Sequence, residues 1–134
     1  MTKAIQFKAL QRRLKFRNPN HWIEIPKEIY FSEEELNSAL HYLRQLPLQN
    51  INYTFPGDVN YPFSFYSMKE PPLFLEYQGP ALWTCSHFIS VVGSRELAGL
   101  TEQWMKSHLS NFVESCSVGI VSGGARGVDQ LAHF

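Results

Sequence analysis

Two short turns hold the residue types best suited to chemistry. Val92-Gly93-Ser94-Arg95 and Ser122-Gly123-Gly124-Ala125-Arg126-Gly127 each follow an apolar, strand-like run, and each precedes a stretch able to form a helix. Glycine lets the backbone approach an anion closely, and serine donates a hydroxyl proton. Arginine offers a fork of N–H donors matched to phosphate oxygens, and a helix start adds unpaired N–H groups with partial positive charge. The ligand these types suit is an oxyanion. Taken singly, either turn serves equally well as a plain chain reversal, with Arg95 paired to Glu96 or Arg126 to Asp129. Two such turns on one unit favour binding.

Other chemistries fit less well. A dinucleotide fingerprint would place GxGxxG directly after the first strand, where Gly93-Ser94-Arg95-Glu96-Leu97-Ala98 stands, and no GxxxxGK[ST] occurs. Asp129 and His133 are four apart and would share a helix face, but no nucleophile completes an acid–base constellation. His21, His41, His87 and His108 show no metal-ligand spacing, and Cys85 and Cys116 lack a CxxC pattern and read as reduced, half-buried thiols. These residues give no positive evidence for catalysis and point to no metal and no cofactor.

The elements that must position the turns follow from the apolar pattern. Phe88-Ile89-Ser90-Val91-Val92 predicts a buried strand, and Glu96 to Glu114 predicts a helix through Leu97, Leu100, Trp104, Leu109, Phe112 and Val113. Val118 to Val121 predicts a second strand, and Val128 to Phe134 the start of a second helix. Strand, helix, parallel strand is a βαβ unit, which brings both turns to the same carboxyl edge of the sheet. Upstream, residues 2–15 predict a helix ended by Asn18-Pro19-Asn20, and Ser32-Glu33-Glu34-Glu35 is a capping box opening a second helix that stops before Pro47. From Ile51 to Pro80 the chain is rich in proline and aromatics. It predicts a short strand at Leu73–Tyr77 within an irregular connection whose aromatics cover the core of the domain that follows.

The formal net charge is +0, but Lys3, Lys8, Arg12, Arg13, Lys15 and Arg17 fall within the first twenty residues, which contain no acid. A basic arm on an acidic body can contact nucleic-acid phosphates, an anionic membrane surface or an acidic partner, and equally can be a solvated helix. No apolar run reaches the roughly 18 to 20 residues of a membrane helix, and no apolar secretory core follows the N-terminal charges, so the expected location is the cytoplasm.

Ile89 to Arg95, a helix, and Gly119 to His133 together resemble the DNA-processing protein A (DprA/Smf) family, as do Tyr61-Pro62 and Glu70 to Gly79 upstream. The resemblance covers roughly residues 50–134. It implies an α/β fold: a partial Rossmann-like parallel sheet preceded by a small helical, aromatic-rich region. The division expected is a basic arm and helical region over 1–49, a Pro/aromatic-rich lead-in over 50–86 and an incomplete Rossmann-like DNA-binding domain over 87–134.

The resemblance further implies a binding protein rather than an enzyme: single-stranded DNA binding, a homodimer, and loading of a RecA-type recombinase during natural transformation. Carried over by position, Gly93, Ser94, Arg95, Ser122, Gly123, Gly124, Arg126 and Gly127 would hold DNA phosphate. Family members continue through further strands where this chain stops at Phe134, so the expectation is a truncated form. Two alternatives stay open. One is a nucleoside-phosphate-binding Rossmann enzyme, whose relatives show a Pro-Gly-Gly-x-Gly-Thr turn that Ser122–Gly127 departs from. The other is a remnant that binds nothing.

Overall fold

A computed structural model describes residues 2–15, 22–84 and 87–133. The chain divides into two compact units, Met1–Thr84 and Cys85–Phe134.

In the first unit, helix α1 spans Lys3–Arg13 and buries Ala4, Phe7, Lys8, Leu10 and Gln11, a set at helical spacing. Its last turn closes by a Leu14 N–H bond to the Leu10 carbonyl, and Lys15 then takes a left-handed conformation (φ 51°) that ends the helix. The expected terminator, Asn18-Pro19-Asn20, lies outside the described residues. Helix α2, Glu33–Gln45, starts on the capping box: Ser32 Oγ accepts from Glu35 N–H (3.2 Å), and Glu35 Oε2 accepts from Ser32 N–H (2.8 Å). Pro47 opens a single 3₁₀ turn, and Asn50 (φ 55°) redirects the chain into strand β1, Ile51–Thr54.

Strand β1 pairs antiparallel with β2, Leu75–Gln78, in the register Ile51↔Gln78 to Thr54↔Leu75. The sequence reading had a strand at 73–77 but none at 51–54. The connection between them is irregular yet tied down: Tyr61 Oη donates to the Pro72 carbonyl (2.6 Å), Gly57 N–H to Tyr66 Oη (2.9 Å) and Trp83 Nε1 to the Asn60 carbonyl (2.8 Å). The aromatics pack inside this unit. Phe7 stacks on Phe55 at 5.5 Å and Tyr53 on Phe74 at 5.1 Å, above a core of Leu10, Leu43, Leu46 and Leu73.

Four of the N-terminal cations find partners in the same unit. Lys3 Nζ meets Glu24, Lys8 Nζ meets Glu76 and Arg13 meets Glu35, each at 2.7 Å, while Arg12 donates to Ser38 Oγ. Lys8 is buried: its ammonium lies 3.9 Å from the Tyr42 ring centre and 4.9 Å from that of Phe74, and Tyr42 Oη bonds the other Glu76 oxygen. A buried ammonium is tolerated only with such company. Burial first, and the hydrogen bond to the Glu76 carboxylate second, push the Tyr42 hydroxyl above its usual range. Residues 3–13 are therefore a docked helix, whose partners are acids of the same unit. Arg17 lies outside the described residues.

In the second unit, β3 (Phe88–Ser90) and β4 (Gly119–Val121) pair in parallel, Ile89 opposite Ile120. Helix α3, Gly99–Cys116, connects them. It ends where Ser117 turns left-handed (φ 50°), with the Val118 N–H reaching back to the Val113 carbonyl. A one-turn helix α4, Val128–Leu131, follows β4. Gly119 leaves room for the Phe88 ring, whose Cδ1 would lie 2.6 Å from any Cβ there. Met105, Val128 and Ala132 form the buried centre, with Val91, Leu97, Leu109, Ile120 and Leu131 packed around it. Cys116 is exposed rather than half-buried, and Cys85 lies outside the described residues. The architecture is α/β: a partial Rossmann-like parallel sheet preceded by a small helical, aromatic-rich region. Among the described residues no helix is long and apolar enough to cross a membrane.

Candidate functional site

Parallel pairing of β3 and β4 delivers both turns to one edge of the sheet, and the contact between them is direct. The Val128 N–H donates to the Ser94 carbonyl at 3.1 Å. Gly127 adopts φ 94°, ψ −130°, and a side chain there would collide with the Ser94 carbonyl oxygen and lie 2.7 Å from Arg95 Cα. Only glycine satisfies both demands. The fit is reciprocal at Gly93, where a Cβ would stand 2.7 Å from Val128 Cγ2. Backbone is thus laid on backbone at Gly127, and the Val128 side chain fills the space that Gly93 leaves open.

The first loop is longer than its sequence suggests. Helix α3 begins at Gly99 rather than at Glu96, because Ser94 Oγ accepts the Glu96 N–H (3.1 Å) in a local turn and Ala98 remains extended (φ −74°, ψ 140°). Arg95 therefore projects from a loop and not from a helix start. In the second loop Ser122 Oγ is buried with no hydrogen-bond partner among the described residues. Gly124 (φ 68°) opens onto free space, and Gly123 faces the Asp129 carboxylate, whose Oδ2 would lie 2.9 Å from a Cβ. An orphaned buried hydroxyl normally costs stability.

Arg95 and Arg126 line one recess of about 560 Å³ together with Glu96, Leu97, Gly127 and Gln130. Both arginines are exposed, and neither makes an ion pair or hydrogen bond with a described residue. The pairings with Glu96 and Asp129 that would make these loops mere turns are not formed. Gly93 and Ser94 form the floor against which Gly127 and Val128 pack, whereas Ser122, Gly123 and Gly124 sit on the second loop outside the lining of this recess. Glu96 and Gln130 share the recess without having been singled out by residue type, since an isolated Glu or Gln carries no motif signal. Asp129 and His133 make no hydrogen bond with each other, and His133 is exposed. No group of three or more His, Cys, Asp or Glu among the described residues could hold a metal ion.

A βαβ edge whose two loops interlock and leave two exposed arginines without an ion pair among the described residues defines an α/β protein of the Rossmann-like kind. The profile of the DNA recombination-mediator protein A family matches residues 52–134, and the chain belongs to that family. This sets it among proteins of DNA processing and recombination, a family of mediators. No curated protein matches the chain.

Proposed function

We propose that the chain binds single-stranded DNA through its backbone phosphates, as a DprA/Smf-type protein serving RecA-type recombinase loading and natural transformation in the cytoplasm. Arg95 and Arg126 supply the charge, and Ser122 Oγ and the open backbone at Gly123 and Gly124 supply neutral donors. Gly93, Ser94 and Gly127 hold the two loops together. Homodimer formation and recombinase contact are the partner interactions that family membership suggests. The observation carrying the reading is that both loop arginines face one recess without a carboxylate partner, in a unit that pairs Lys106 with Glu102 at 2.6 Å.

Phosphate contacts give affinity without base sequence, and each one released on a single strand contributes roughly 0.7 to the slope of log affinity against log salt. Anisotropy of a labelled oligonucleotide titrated at several salt concentrations tests this. Arg95→Ala should weaken binding and lower that slope by about 0.7, and Arg126→Ala should do the same. Equal affinity and slope for wild type and both variants would refute the role of the loops. Stabilisation by mononucleotides with none by oligonucleotides would favour the enzyme reading.

A further inference from the structure

Beside the phosphate loops runs a second cavity of different character. It is an apolar groove of about 930 Å³, lined on one side by Gly93, Ser94 and Glu96 of the first loop and on the other by Trp104, His108 and Phe112 of α3. Glu96 borders both this groove and the arginine-lined recess, so the two cavities adjoin across one residue. Trp104 is 59% exposed although it is the largest side chain of the unit. Its indole does not swing freely: His108 Nδ1 donates to the Trp104 carbonyl at 3.0 Å, and the imidazole stacks on the indole at 5.3 Å with the planes 13° apart. One indole face is held by this stack, and the ring remains open to solvent.

We infer that this groove takes the nucleobases of the strand whose phosphates Arg95 and Arg126 hold, with Trp104 as the stacking platform and Glu96 as an acceptor for exocyclic amino groups. The inference rests on the phosphate reading above and names what the same site does with the other half of each nucleotide. Three observations carry it. The charge complementarity is one-sided: cations line the recess, while the groove wall is apolar and aromatic, the division a nucleotide itself presents. The groove is continuous with the loop pair through Gly93, Ser94 and Glu96. Further, a pre-oriented indole loses little entropy when a base stacks on it, and stacking tolerates any base because each has a π-face. Glu96 adds a bias. Its exposed carboxylate repels phosphate but accepts from the amino groups of cytosine, adenine or guanine, which thymine lacks.

The test compares homopolymers of dC and dT, and an abasic oligonucleotide of equal length, on the intact chain. Trp104→Ala should weaken dC binding about tenfold and leave the salt slope unchanged, and Trp104→Phe should recover most of the loss. The abasic strand should bind wild type and Trp104→Ala alike. Glu96→Ala should erase a preference for dC over dT while tightening overall binding two- to threefold, about the effect of removing one like charge. Unchanged dC affinity in Trp104→Ala, with wild-type binding and the Arg95 effect intact, would overturn the base groove and leave the phosphate site standing. Failure of the wild type to bind any strand would overturn both. A shift in sedimentation on Trp104→Ala or Trp104→Phe, without a change in DNA affinity, would assign the groove to a second copy of the chain and overturn the inference.

Discussion

In the first unit Lys3, Lys8 and Arg13 each meet a carboxylate at 2.7 Å, whereas in the second Arg95 and Arg126 meet none among the described residues. The apolar residues divide the same way. Both units leave large apolar residues exposed, but the first closes Phe7, Leu10, Leu46 and Leu73 to solvent almost completely, whereas the buried core of the second, among the described residues, is Met105, Val128 and Ala132. Density of charge in a stretch of chain is thus a poor guide to which cations are available. Six bases crowd the first twenty residues, yet Lys3, Lys8 and Arg13 are paired with acids of their own unit and Arg12 with the Ser38 hydroxyl. Two scattered arginines, set on loops and paired with no acid among the described residues, are the ones free to meet an anion.

The contrast is broken most forcefully at the two cores. Phe7→Ala should cost about 3–5 kcal/mol of the first unit's stability in urea denaturation, since the ring is fully enclosed and its cavity cannot collapse. Met105→Ala should cost below about 2 kcal/mol, because its site borders cavities already open to water. Equal losses would show the second unit to be as tightly built as the first. Next comes Lys8→Ala, which leaves Glu76 without its ammonium. The part-exposed carboxylate reduces the penalty to about 2–3 kcal/mol, and oligonucleotide affinity of the folded protein should not change.

Gly127→Ala forces a side chain into the Ser94 carbonyl, with a cost of about 1–3 kcal/mol in thermal melts and a fall in DNA affinity as the loops part. Arg95→Ala reverses the pattern of Lys8→Ala: stability within about 0.5 kcal/mol of wild type, but affinity lost. If both substitutions acted on stability alone, the comparison would fail.

The smallest effect is acid sensitivity at Glu35. The hydrogen bond from Arg13 first, and from the Ser32 N–H second, hold its carboxyl below the ordinary value of 4.5. A depressed carboxyl stabilises the fold above the unfolded value and loses that contribution as pH falls through the folded one. Melting temperature should therefore decline below pH 4.5, and less so in Glu35→Gln, which starts lower.

How far the sequence revealed this molecule depends on the range of the interactions involved. The capping box at Ser32 and Glu35 and the βαβ order were legible because their signals are local or strictly periodic. The docking of α1 was not, since Lys8 and Glu76 are 68 residues apart and nothing near Lys8 announces its partner. Strand β1 is four residues long and completed only by Leu75–Gln78, beyond a proline-rich connection that masks the pairing. At the site, the glycine turns were visible as types. Their interlocking was not, because it depends on a carbonyl at Ser94 meeting a missing side chain at Gly127. The delayed start of α3 turned on one hydroxyl, Ser94 Oγ, capturing the Glu96 amide before a helix could.

That interlocking also sets an order of events during synthesis. The loop at Gly93–Arg95 emerges from the ribosome with nothing to rest on, because the amide that grips its carbonyl belongs to Val128 and the surface it leans on is Gly127. Until those residues have been added and β4 has paired, the first loop is shaped only by its local turn from the Glu96 amide to Ser94 Oγ. The two loops mature in a single step, and a graft into another scaffold would have to carry both.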